Sequence, residues 1–93
     1  MKFTWDPKKA KTNLKKHGVS FEEAESVLRH PDTLIVFDDE NSSDVEDRFQ
    51  SLGISIKLKV LVVIHGERDG KENRIISARK AEKHEVKRWQ ERK

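Results

Sequence analysis

Lys59-Val60-Leu61-Val62-Val63-Ile64-His65 is the stretch that decides the fold. Its five consecutive aliphatic residues fall far short of the ~20 that a membrane helix needs. With no polar residue to alternate against, the run reads as a central strand covered on both faces. Immediately after it, Glu67-Arg68-Asp69-Gly70 makes a hairpin loop, and Arg74 to Arg79 returns as a second strand. Upstream, Arg48 to Ile56 reads as a strand with Gly53 at a bulge or close approach. Leu34 to Phe37 is a further strand, separated from it by the polar turn region Asp38 to Asp44. Connections this short predict antiparallel neighbours.

The N-terminal third has a different period. Phe3-Thr4-Trp5 is a short strand, and Asp6-Pro7 then starts a helix: Asp6 caps free backbone donors and Pro7 suits the first helical position. Ala10, Leu14 and His17 share one face of that helix, and Gly18 stops it. Ser20 and Glu23 form a capping box for a second helix, whose apolar stripe is Phe21, Ala24, Val27 and Leu28 and which ends before Pro31. Ala81 to Arg92 is a terminal helix with Ala81, Val86 and Trp89 available for docking, while Trp5 and Trp89 read as core or rim anchors. The order is βαα, then a meander of four strands, then α. That is an α+β domain, one unit over residues 1–93.

Charged residues make up 40% of the 93 residues, and the net charge is +3. The distribution is uneven: +5 over residues 1–20, −6 over 21–65 and +4 over 66–93. Such a chain is two-faced if those segments fold onto separate surfaces, with one face for a polyanion and another for a basic partner. There are no cysteines, so no disulfide framework or thiolate metal site exists. No signal-peptide or membrane stretch is visible, and a soluble cytoplasmic protein is the expectation.

Four isolated glycines make no phosphate-binding loop. His17, His30, His65 and His84 lack ligand spacing, and the acids from Asp38 to Asp47 lack the alternation of a calcium loop, so neither metal nor cofactor is expected. What remains is Arg, Lys and His beside the meander. Arg48 opens a strand, His65 closes the central one, Arg68 lies in the next loop and Arg79 closes the last strand. Strict alternation puts Ile75, Ser77 and Arg79 on one face, and Leu61, Val63 and His65 on one face of theirs. A histidine and two arginines converging on one surface would handle a phosphate, because imidazole moves protons near neutral pH and guanidinium forks match phosphate oxygens. Metal-free RNA cleavage needs those functions, since the ribose 2′-hydroxyl is the built-in nucleophile. Each residue also has a plain structural reading: His65 as a hydrogen-bonded strand end, Arg48 as a partner of Glu46 or Asp47, Arg79 as a flank of the last helix.

Three segments carry a resemblance. Phe3-Thr4-Trp5-Asp6 with Lys9, Asn13, Lys16-His17-Gly18-Val19 and Phe21 resembles the BrnT toxin opening FxWDxxKxxxNxxKHGxxF. Glu46-Asp47-Arg48-Phe49 resembles that family's acidic-Arg-aromatic segment, and Arg74 to Ala81 its RIISARKA ending. The resemblance spans nearly the whole chain. It implies a RelE-like fold, a small antiparallel sheet of four to five strands with two N-terminal helices and one C-terminal helix. It also implies growth inhibition through RNA cleavage that blocks translation, and neutralisation by a BrnA-like antitoxin with a ribbon-helix-helix DNA-binding part. Many relatives end the central strand in an aromatic such as Tyr where this chain has His65. The joint expectation is a metal-independent endoribonuclease. Arg48 and Arg79 would hold the scissile phosphate, with His65 as acid or base. Lys15, Lys16, His17, Arg68 and Lys80 would contact the flanking RNA backbone. The antitoxin, through an acidic segment, would cover the basic surface, and the hetero-oligomeric complex would bind operator DNA. The alternatives are a non-catalytic nucleic-acid-binding module and an antitoxin-binding co-repressor.

Overall fold

The structure, a computed structural model, describes residues 2–70 and 72–92. Among these the chain forms β1 (Lys2–Thr4), α1 (Pro7–His17), α2 (Phe21–Arg29), β2 (Leu34–Phe37), β3 (Asp47–Ile54), β4 (Val60–Arg68), β5 (Glu72–Lys80) and α3 (Lys83–Gln90). One sheet runs in the order β1-β5-β4-β3-β2, so the aliphatic run takes the middle position. Its residues Leu61, Val62 and Val63 are all fully buried, and a strand can bury consecutive residues only when both faces are covered.

Local signals place both N-terminal helices. Asp6 accepts a hydrogen bond from the Lys8 amide, Pro7 occupies the first turn, and Gly18 closes α1 in the left-handed conformation at φ 70°. Ser20 Oγ accepts from the Glu23 amide at 3.0 Å, but the return half of the expected capping box is redirected. The Glu23 carboxylate instead accepts from Ser55 Oγ at 2.7 Å, tying α2 to the end of β3. In α1 the buried position is Asn13, while Leu14, expected on the inward face, is 51% exposed. The Asn13 amide nitrogen donates to the Val19 and Ala78 carbonyls, and its oxygen accepts from the Ala78 amide, so a polar side chain rivets α1 to β5.

Phe21, Ala24 and Val27 of α2 pack with Val19, Leu61, Val63, Ile75 and Ala78 in the main core. Leu52 and Val62, paired across β3 and β4, are buried outside that cluster, and α3 contacts β3. The antiparallel meander appears as expected, whereas β1 pairs in parallel with β5, Lys2 opposite Glu72 through Thr4 opposite Arg74. No short connection dictates that pairing. β4 also runs three residues past His65, so the histidine lies within the strand and Arg68 closes it.

A β-bulge interrupts the expected face assignment. His65 pairs with Ile75 and Ile64 with Ser77, which leaves Ile76 as the extra residue of β5. Ile75 and Ala78, three apart, thereby both join the core, which strict alternation forbids. Ile75 moves to the helix side, while Ser77 and Arg79 face away from it.

Candidate active face

On the sheet surface away from α1 and α2, two carboxylates gather four of the described arginines. The first is Glu46, just ahead of β3. Its Oε1 accepts from Arg48 Nη2 at 3.1 Å and Arg74 Nη2 at 3.0 Å, and its Oε2 accepts from Arg68 Nε at 3.1 Å. The carboxylate rests on Gly66, where an added methyl would come within 2.5 Å of Glu46 Cδ, so only glycine lets it lie flat against β4. Burial pushes the Glu46 carboxyl up, but the hydrogen bonds from Arg74 and Arg48 outweigh burial and hold it below the ordinary carboxylate value. Three guanidiniums around one anion leave a net charge of +2 on a rigid strand end. Arg48 Nε is buried and has no hydrogen-bond partner among the described residues.

The second carboxylate is Glu85 on α3. Its Oε1 accepts from Arg79 Nη1 at 2.8 Å and its Oε2 from Arg79 Nη2 at 2.9 Å, a two-bond fork. The hydrogen bonds from Arg79 hold the Glu85 carboxyl below its ordinary value, and those to Glu85 push the Arg79 guanidinium up. Arg79 Nη1 also donates to the Lys80 carbonyl, and among the described residues the Nε edge of the guanidinium has no hydrogen-bond acceptor. His84 stands beside the pair: one of its ring nitrogens and the Glu82 and Glu85 carboxylates lie within 4.8 Å of one another. That trio has ligand-type atoms, yet both Glu85 oxygens already accept from Arg79, so the donor set favours an anion-binding guanidinium over a cation cage.

The expected site residues are therefore distributed. Arg48 and Arg79 share a face, but Arg48 pairs with Gly66 and Arg79 with Val62, about 13 Å apart along β4 at the usual rise per residue. They cannot grip one phosphate together. His65 does not join them. Its side chain lies on the helix side, only 4% exposed, with Ser51 Oγ 2.8 Å from Nε2, Asn73 Oδ1 3.1 Å from Nδ1, and the Phe49 ring stacked at 5.5 Å. Burial drives its pKa down, with the Asn73 hydrogen bond opposing, so the ring is held neutral. Arg68 belongs to the Glu46 cluster, and Lys80 is exposed at the end of β5. Lys16 and His17 line a groove of about 300 Å³ between α1 and β5, together with Lys8, Lys9, Ile76 and Ser77. Lys15 is exposed but does not line it.

Residues 5–85 match the family described as ribonuclease toxin, BrnT, of type II toxin-antitoxin system. The chain belongs to the BrnT family. Its fold agrees: the crystal structure of the Brucella abortus ribonuclease toxin BrnT superposes with a TM-score of 0.66 at 25% identity, over 89% of this chain and 99% of that one. No curated protein sequence matches. Membership in a type II toxin-antitoxin family gives this toxin an RNA target and an antitoxin partner. None of its described helices is long and apolar enough to cross a membrane.

Sequence reasoning missed three residues of the toxin's arginine face, Arg74, Glu85 and His84, and named Glu46 only as a structural partner of Arg48. Arg74 lies five positions before Arg79, which strict alternation would put on opposite faces, and it shares that face only because of the bulge. The Arg48–Glu46 pair forms as the plain structural reading has it, but nothing local shows that the same carboxylate also gathers Arg68 and Arg74. His84-Glu85 had a signal, because Glu82 and Glu85 have capping spacing and the Glu82 amide donates to Glu85 Oε1 at 2.8 Å.

Proposed function

We propose that the toxin is a metal-independent endoribonuclease that cuts at the Arg79 end of this face. The observation that carries the reading is the Arg79 guanidinium, fixed by the Glu85 fork, with an uncommitted Nε edge and His84 alongside. A phosphodiester seated on that edge gains charge on its phosphoryl oxygens as the ribose 2′-hydroxyl attacks. A guanidinium already in place stabilises that change at no reorganisation cost. His84, beside the Arg79–Glu85 pair, accepts the 2′-hydroxyl proton as general base. As the O2′–P bond forms, the P–O5′ bond breaks and the leaving 5′-oxygen takes a proton from water. The products are therefore a 2′,3′-cyclic phosphate, or its 3′-phosphate hydrolysis product, and a 5′-hydroxyl end.

The Arg48, Arg68 and Arg74 cluster, about 13 Å away, holds a neighbouring phosphate and sets the register of the strand. Lys16 and His17, reached around the edge of β5, and Lys80 contact the flanking backbone. His65 has no part in proton transfer and serves as a neutral, packed imidazole. The antitoxin neutralises the toxin by covering the arginine face with an acidic segment, and its ribbon-helix-helix part carries the complex to operator DNA.

The test is single-turnover RNA cleavage by folded variants, with and without excess EDTA. Arg79→Ala should lower the rate about a hundredfold or more, the cost of losing one preorganised charge donor. Arg79→Lys should recover only part of it, because a point charge lacks the fork. Arg48→Ala should act mainly on KM, and EDTA should leave all rates unchanged. A folded Arg79→Ala variant that cleaves at the wild-type rate, or wild-type activity lost in EDTA and restored by magnesium, would overturn the assignment.

A further inference from the structure

The opposite side of the same sheet end has the reverse character. Beyond the end of α2, a cleft of about 350 Å³ is walled by Phe3, Leu28, Ile35 and Phe49, with His65 and Asn73 among its lining residues. Its apolar surface continues onto β2, the outermost strand of the sheet. Ile35 is 59% and Phe37 50% exposed there, and the Phe37 ring packs edge-on against Phe49 at 5.6 Å. An exposed apolar edge strand is a pairing and aggregation hazard unless something covers it.

The margin of this strip says what kind of partner that is. Residues 38–47 carry six acids and no lysine or arginine. Glu46 is spent on the arginine face, but Asp38, Asp39, Glu40, Asp44 and Asp47 enter no ion pair among the described residues. Glu67, paired in register with Asp47, lines the cleft itself. Arg29, which also lines it, is paired with Glu25 and lies over the Phe3 ring, so it adds no net positive charge to the strip. RNA phosphates are repelled by such a margin, and a cationic protein segment is attracted.

We propose that this apolar strip with its acidic margin is the docking site of the toxin's antitoxin, and that the antitoxin segment seated there bears apolar anchors flanked by lysine or arginine. The inference rests on the antitoxin partnership of the family and adds where the partner holds on. The site sits back to back with the arginine cluster: Phe49 adjoins Arg48, and Asn73 adjoins Arg74. A chain anchored in the cleft needs only to round the sheet end to cover the catalytic face. Neutralisation then uses two surfaces of opposite charge.

The test measures binding of the purified toxin to the protein encoded by its neighbouring reading frame, alongside RNA cleavage and thermal unfolding. One variant combines Ile35→Glu with Phe37→Glu, and a second combines Asp39→Lys, Glu40→Lys and Asp44→Lys in the loop. The first should raise Kd at least about 30-fold, as losing central anchors does. The second should slow association about tenfold at low salt, because charge reversal acts on encounter. Both should cleave RNA at the wild-type rate. Wild-type affinity and association rate in both variants would overturn the placement alone. Cleavage lost while antitoxin binding holds would assign the strip to RNA instead. A wild-type toxin that fails to bind the neighbouring protein at all would overturn the partnership, and the docking site with it.

Discussion

Glu46 and His65 are both buried, lie on opposite faces of the same strand end, and meet burial in opposite ways. Glu46, against Gly66, is surrounded by Arg48, Arg68 and Arg74 and keeps its charge below the ordinary carboxylate value. His65, the residue before Gly66, has a serine hydroxyl, an asparagine carbonyl and a phenylalanine ring for neighbours, and burial there suppresses its charge. Desolvation opposes charge in both cases. The difference is in the partners: cations offset it at Glu46, and neutral groups do not at His65. One face of the sheet end is thereby built to meet an anion, while the other is a neutral, apolar floor.

Three experiments break or sharpen this contrast, beginning with the largest effect. Glu46→Ala removes the anion that three guanidiniums share. It should cost about 2–3 kcal/mol of stability by chemical denaturation, toward the low side for a broken buried pair because Arg68 is 61% exposed. A loss under about 0.5 kcal/mol, the scale of an ordinary surface change, would show that the cluster is a surface arrangement. Gly66→Ala places a methyl against the Glu46 carboxylate and should cost about 1–3 kcal/mol. Paired with Glu46→Ala it should add little, since the clash is then gone. Full additivity in that double variant would show that the two residues do not touch.

The smallest effect is the most discriminating. His65 has a depressed folded pKa, so its contribution is complete above the ordinary imidazole value of 6.5 and is lost as pH falls below that value. Glu46 also has a depressed folded pKa, but its contribution is complete above the ordinary carboxylate value of 4.5 and fades only below it. Stability followed from pH 7.5 downward should therefore decline in two windows, and His65→Gln should flatten the upper one alone. An upper window unchanged in His65→Gln would show that the imidazole is not the group that loses charge on folding.

Much of the toxin was legible because its signals are local. Asp6-Pro7, Gly18 and Ser20 mark helix ends within a turn of themselves, and Leu34 to Phe37 emerges as the strand expected from its composition. The two arginines taken from the strand ends do reach one sheet face. The convergence of His65 with them failed for two reasons: in the unbroken β3–β4 register Arg48 pairs with Gly66, one position past His65 and so on the other face, and β5 carries a bulge. One extra residue, Ile76, reverses the alternation of β5, and a bulge leaves no mark in a run as uniform as Arg74-Ile75-Ile76-Ser77-Ala78-Arg79. The inward face of α1 was misread for a related reason: Leu14 had the hydrophobicity, but the geometry at β5 rewards the three hydrogen bonds of Asn13.

By itself, then, the sequence determined the α+β class, the termini of α1 and α2 and the middle place of the Val60–Ile64 run, while the last helix, expected over Ala81 to Arg92, is shorter at Lys83–Gln90. Capping chemistry and hydrophobic runs act between residues a few positions apart. Tertiary structure alone decided the parallel seat of β1, the face on which each residue of β5 looks, and the gathering of Arg68 and Arg74 onto Glu46 and of Arg79 onto Glu85. Those outcomes depend on the register between distant strands, where one inserted residue exchanges the buried and exposed faces. Charge-pair partners are then selected by whatever that register brings within about 3 Å.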